Sequence, residues 1–197
     1  MEKAPYHHGD LRNALLDAAR RIVERDGAEA VSLRSLAEDL GVSRGAPYRH
    51  FPDRDTLLAE VAAAGFEEHA AAYQGFLDTV MDPRERMALT TRFYLDYGAR
   101  KPGLHRLMFE SDLLARNPPP AVLIPPADRS YRLLVDIVRQ AFPDESEDAV
   151  LARTITAIST TIGFLTLRGA GRFKAFMRGG LSDADIDAAV IAAVAGR

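Results

Sequence analysis

The side chains best suited to chemistry in this chain lie close together. Between Ser43 and Arg54 it carries Arg44, Tyr48, Arg49, His50 and Arg54 against a single acid, Asp53. Guanidinium groups pair with guanine edges and with phosphates, and phenol and imidazole groups donate to either. Arg44 can form a bidentate pair with guanine, and Ala46 is small enough to touch a thymine methyl. Arg54 adds charge beside the free N–H groups of a helix start, itself a phosphate site. Catalytic chemistry is poorly supplied by comparison. The absence of Cys removes thiol nucleophiles and thiolate zinc sites. The five His (His7, His8, His50, His69 and His105) form no HxxxH pair, and no phosphate loop or glycine-rich dinucleotide fingerprint occurs. The expectation is a binding protein with no catalytic residues, no metal and no cofactor.

Those side chains need a rigid corner to present them. Asp10 to Asp26 places Leu11, Leu15, Ala18, Ala19, Ile22 and Val23 at steps of three and four, an amphipathic helix that Gly27 would end. Ser32 is placed to cap a second helix striped by Leu33, Leu36, Ala37 and Leu40, which Gly41 closes. Ser43 could cap a third helix only two residues later. That helix can run only from Arg44 to about His50, because Pro52 turns Phe51 away from the helical region. Gly45 and Pro47 are weak helix residues inside it. Asp53 is a natural cap for a fourth helix reaching about Val80. Leu36, Leu40, Val42 and Phe51 should hold the pair of short helices to the first one, leaving the Arg44 face free to enter a major groove about 12 Å wide.

The rest also reads as helix. Asp82-Pro83-Arg84-Glu85 is a strong start signal for a helix to about Arg100. Pro102 opens another, expected to end by Asn117. Pro118 to Pro126 holds five of the eleven prolines and reads as a loop. Further helices are expected at about Ala127 to Ala141, Glu147 to Arg168 and Asp183 to Ala195, the last capped by Ser182. No useful strand alternation appears, so the chain of 197 residues is expected to be all-α. With 27% charged residues and a net charge of −3, the disordered and disulfide-stapled classes are disfavoured. Met1 to Asp10 lacks the apolar core of a secretory signal, and the longest apolar uncharged run, Thr154 to Leu167, is short of the roughly 20 residues of a membrane span. A cytoplasmic protein with no membrane partner is expected.

YHHGDLRNALLDAA at the start, followed by SLRSLAEDLGVSRGAPYRHF and RDTLL, resembles the DNA-binding head of the TetR/AcrR family of bacterial transcriptional regulators over about Tyr6 to Leu58. The resemblance implies an N-terminal three-helix helix-turn-helix head, residues 1–56, and a larger C-terminal helical ligand-binding and dimerisation domain, residues 57–197. It implies that Ser32, Arg34, Tyr48, His50 and Arg54 hold phosphates. Arg44 and Ala46 would read bases, with Arg49 open to that role and Arg34 to either; Ser43 belongs to the same surface. Residues 1–56 carry nine basic against ten acidic side chains, so the head as a whole is not basic and only this surface is.

In the larger part, aromatic residues lie on more than one helix face. Tyr94, Tyr97, His105, Met108, Phe109, Thr161 and Phe164 are the expected pocket lining, set against the plainer alternative that each is simply core. Ile158, Ile162, Leu165, Ile186, Val190 and Val194 on the last two helices are the expected dimer surface, whose pairing would make a four-helix bundle. The implied function is a ligand-responsive regulator, by resemblance usually a repressor. A homodimer would place two recognition helices about 34 to 36 Å apart on a palindromic operator in double-stranded DNA. A small-molecule effector would spoil that spacing by shifting the fourth helix. The alternatives are a helical small-molecule-binding or adaptor protein without specific DNA binding, and an enzyme whose catalytic groups meet only in space.

Overall fold

The computed structural model describes residues 11–196. The expectations placed on Tyr6 to Asp10, including a helix start at Asp10, lie outside the described residues. Within them the chain forms helices and no strand: α1 (Leu11–Asp26), α2 (Leu33–Leu40), α3 (Arg54–Thr79), α4 (Pro83–Arg100), α5 (Pro102–Phe109), α6 (Ile124–Ala141), α7 (Glu147–Gly169), α8 (Ala175–Arg178) and α9 (Asp183–Ala195). They divide into two compact units. The first holds residues 11–65 and 103–125, the second residues 66–102 and 126–196.

In the first unit, α1 buries Leu11, Leu15, Ala18, Ala19 and Val23, as its three/four spacing predicts. Gly27, at φ 91°, ends it and donates its N–H to the Val23 carbonyl at 3.1 Å. The stop of α2 is a complete glycine turn. Gly41 sits at φ 67° and donates to Glu38, while Val42 donates to Ala37, the two bonds of a Schellman motif. The start of α2 differs from expectation. Ser32 is extended and its carbonyl accepts from Leu36, but its hydroxyl makes no capping bond. Asp53 does cap α3, its Oδ1 accepting from the Thr56 N–H at 2.7 Å and hydroxyl at 2.8 Å. These bonds hold its pKa below the ordinary carboxylate value, the backbone N–H foremost.

In the second unit, Asp82 caps α4 through the Arg84 N–H and Ser146 caps α7 through the Ala149 N–H. Ser182 and Asp185 form a reciprocal capping box on α9. The core gathers Met87, Ile137, Val138, Phe142 and Val150 around Tyr73. Two guanidinium groups, Arg84 and Arg153, lie over the Phe142 ring at 3.9 and 3.6 Å from its centroid. Arg84 also donates to the carbonyls of Ala195 and Gly196, closing the negative end of α9. Helix α7 is long and apolar enough to cross a membrane by length and composition; here Val150, Thr154, Ala157 and Thr161 bury one side of it.

Two expected boundaries move. The helix opened by Pro102 stops at Phe109, and residues 110–116 form turns rather than continuing to Asn117. Helix α6 begins at Ile124, inside the proline stretch, because Pro125 and Pro126 occupy a first turn whose N–H groups need no intrahelical partner. The four-residue α8 was not anticipated.

Candidate nucleic-acid interface and effector cavity

The expected third helix is not an α-helix. Arg44 to Ala46 form a turn and Pro47 to Arg49 a single 3-10 turn. The cause is Pro47. Its ring nitrogen cannot donate to Ser43, and Ala46 donates to the Ser43 carbonyl instead, an i to i−3 bond of 2.9 Å. Arg49 and His50 repeat that shorter step, while Phe51 closes on Pro47 at 2.9 Å. Ser43 acts through its carbonyl, with no side-chain cap shown. Phe51 is 0% exposed and Pro47 is buried, so the corner is anchored from beneath.

What remains outside is the surface the spacing predicted. Ser43, Arg44, Arg49 and His50 are exposed, as is Tyr48 at 53%, and Ala46 is half-buried. Arg34 is exposed on α2 and Ser32 is half-buried at its start. Two features were missed in the sequence. Glu38 lies between two of the basic groups, 3.4 Å from Arg34 and 3.8 Å from Arg44. The Arg34 pair has i,i+4 spacing and was there to be read. The other feature is the engagement of Arg54: its guanidinium donates to the carbonyls of Val31 at 3.1 Å and Ala28 at 2.6 Å. It ties the start of α3 to the segment before α2, across more than twenty residues of chain.

The second unit contains a narrow cavity of ≈ 30 Å³, room for one or two waters. Tyr94 and Thr161, both expected lining, stand at its wall. They are joined by Tyr73 from α3 and by Met87, Thr90 and Thr91 from α4, which sequence reasoning passed over. Leu134 and Ala157 complete the apolar side, with Ile158 and Val194, which had been assigned to the dimer surface. The other expected lining residues lie elsewhere. Tyr97 and His69 meet edge-on, 4.5 Å between centroids, in a cluster that includes Phe93. Phe164 packs on Phe173 beneath Arg168. His105, Met108 and Phe109 belong to the first unit, where Met108 packs on Gly65 and His105 lies 3.9 Å from Glu110.

Of the expected dimer surface, Leu165 and Val194 are buried within the protomer, whereas Ile162, Ile186 and Val190 are half-buried. The outward face of α7 carries Ile155 and Leu167, 58% and 47% exposed, and small residues such as Thr156, Ser159 and Thr160.

Two family models match the chain: the bacterial regulatory proteins of the tetR family over residues 15–61, and the tetracyclin repressor-like C-terminal domain over residues 87–195. The chain belongs to the TetR family. This TetR-family chain is 32% identical over 110 residues to the nucleoid occlusion factor SlmA of Vibrio vulnificus, covering 52% of its own length and 56% of that protein. The chain thus spans little more than half of the curated relative it matches. Its fold is similar to that of a protein of unknown function from Rhodococcus sp. RHA1, with a TM-score of 0.80 and 29% identity over 98% of both chains. It is also similar in fold to RolR in complex with resorcinol, with a TM-score of 0.56 and 22% identity over 96% of this chain and 87% of that one.

Proposed function

We propose that this TetR-family protein is a ligand-responsive transcriptional regulator, a repressor that binds a palindromic DNA operator as a cytoplasmic homodimer and is released by a small molecule. The observation that carries the reading is the corner at Ser43 to His50. Its apolar side chains are buried while Arg44, Tyr48, Arg49 and His50 stay outside. In this reading Arg44, Ala46 and Arg49 read bases, and Ser32, Arg34, Ser43, Tyr48 and His50 hold phosphates. Arg54 acts chiefly by holding the corner. Residues 1–56 do the DNA reading and residues 57–197 bind effector and partner subunit. The resorcinol complex of the fold neighbour RolR supports a small-molecule effector. The protein works by occupancy rather than turnover, so the effector must bind the DNA-incompetent form more tightly than the competent one.

The dimer surface is proposed on the outward faces of α7 and α9. Ile155 and Leu167 join Ile162 and Ile186 there, and a Cβ at Gly163 would meet nothing. A gel shift on DNA from upstream of the protein's own gene, at two salt concentrations, tests the regulator reading. Sequence-specific retention should weaken as salt rises. Arg44→Ala should cost about 1–3 kcal/mol and relax specificity, while Arg34→Ala should weaken all sequences alike if Arg34 holds phosphate. Equal retention on random DNA would leave the adaptor reading in its place.

A further inference from the structure

The wall of the cavity in the second unit is chemically one-sided. Among the described residues that line it, none is a carboxylate, an amine or a guanidinium, so an ion placed against them would be desolvated without a partner. Its hydroxyl groups differ from one another. Thr161 donates to the Ala157 carbonyl at 2.8 Å and Thr91 to the Met87 carbonyl at 2.9 Å, so both hydrogens are committed to the backbone. The Tyr73 hydroxyl is 3.3 Å from His69 Nδ1. Burial raises the Tyr73 pKa, keeping the phenol neutral. Thr90 stands apart: it is 2% exposed, it lines the cavity, and its Oγ1 is buried without a hydrogen-bond partner. Threonines on helices can return their hydroxyl to the carbonyl four residues back, as Thr91, Thr154 and Thr161 do here, and Thr90 does not. Buried polar groups are overwhelmingly paired, so this one calls for an explanation.

We propose that the cavity takes a small, uncharged, mostly apolar molecule bearing one hydrogen-bond acceptor, such as a carbonyl oxygen, which receives the Thr90 hydroxyl. The inference rests on reading the cavity as the effector site. A drug-sized ligand needs roughly 300–1,000 Å³, so at ≈ 30 Å³ the cavity must widen to admit any such effector. Met87 is suited to yield, since its unbranched thioether repacks readily, and Ile158 and Leu134 are only half-buried. A ligand that fits only the widened form binds the two forms unequally, the condition for shifting a population.

Three benzene derivatives of similar size separate the alternatives: acetophenone, neutral with one carbonyl; cumene, with an isopropyl group in place of the acetyl and no acceptor; and benzoate, an anion. Each is titrated against the full-length protein labelled at its methionine methyl carbons, and the Met87 NMR signal is followed. Acetophenone should shift that signal and bind about tenfold more tightly than cumene, the worth of one neutral hydrogen bond. Benzoate should leave it unmoved. Thr90→Val should bring acetophenone down to the cumene affinity while leaving cumene binding unchanged, which also shows that the variant is folded. The proposal is overturned if benzoate binds as tightly as acetophenone, if Thr90→Val preserves the tenfold ratio, or if neither neutral compound moves the Met87 signal. The titration needs no DNA. Loss of acetophenone binding with operator retention intact would remove only the effector class, and acetophenone binding without operator retention would remove only the regulator reading.

Discussion

A Cβ added at Gly103 would overlap the Val23 carbonyl, so α5 meets the end of α1 through a residue that can carry no side chain. Gly103→Ala should therefore destabilise the fold by about 2–3 kcal/mol, the usual cost of overpacking against groups that cannot move aside. A urea midpoint lowered at constant m-value is the expected result, and an unchanged midpoint would refute it. Another single-residue effect concerns pH. Burial pulls the pKa of His105 below its ordinary value, with the Glu110 carboxylate opposing and Arg106 adding to the fall. The unfolded chain takes up a proton at about pH 6.5 while the folded imidazole stays neutral. Stability from this group is thus complete above that pH and is lost as pH falls toward the depressed folded pKa. His105→Gln should flatten the dependence of unfolding free energy between about pH 7 and 5.5, leaving the acid loss from Asp53 and Glu147 at lower pH.

At the scale of the element, most starts and stops were legible because they depend on near neighbours. Gly41, Asp53, Asp82 and Ser182 do what their positions predict, each through bonds within five residues. Ser32 misled, since an extended serine can serve a helix with its carbonyl alone. The corner at Ser43 to His50 has its basic side chains outside, as expected, but not the expected backbone, because Pro47 replaces an α turn by a 3-10 turn. Gly45 lies in that corner without a positive φ, and a Cβ there would meet nothing. Gly45→Ala should raise stability by about 0.4–1 kcal/mol by restricting the unfolded chain. Thermal unfolding measures this, and a lowered Tm would show that the corner needs the glycine backbone.

At the scale of the whole molecule, the proposed homodimer places a second copy on the outward faces of α7 and α9. Ile155 and Leu167 are large, apolar and exposed on α7, whereas Leu165 and Val194 are already used inside the protomer. Ile155→Glu combined with Leu167→Glu should convert a dimer to monomer in sedimentation and abolish cooperative operator retention, since both charges would be buried unpaired at the interface. An unchanged sedimentation coefficient would move the surface elsewhere. Which apolar residues of α7 face outward is not legible in the sequence. Ile155 and Ile158 are both apolar residues on α7, and only the packing of α7 against its neighbours shows that Ile158 faces the cavity and Ile155 the outside.

The sequence by itself determined the all-helical build, most helix ends and the exposed Arg44 to His50 surface, because helical periodicity, caps and glycine stops act over a few residues of chain. Tertiary structure alone decided that Arg54 spends its donors on Ala28 and Val31, and that Tyr73, Thr90 and Thr161 share one cavity wall. Those groups lie on different elements, far beyond one helical turn from each other in the chain. Which of a helix's faces meets which partner is set by the packing of whole elements, and no local spacing encodes it.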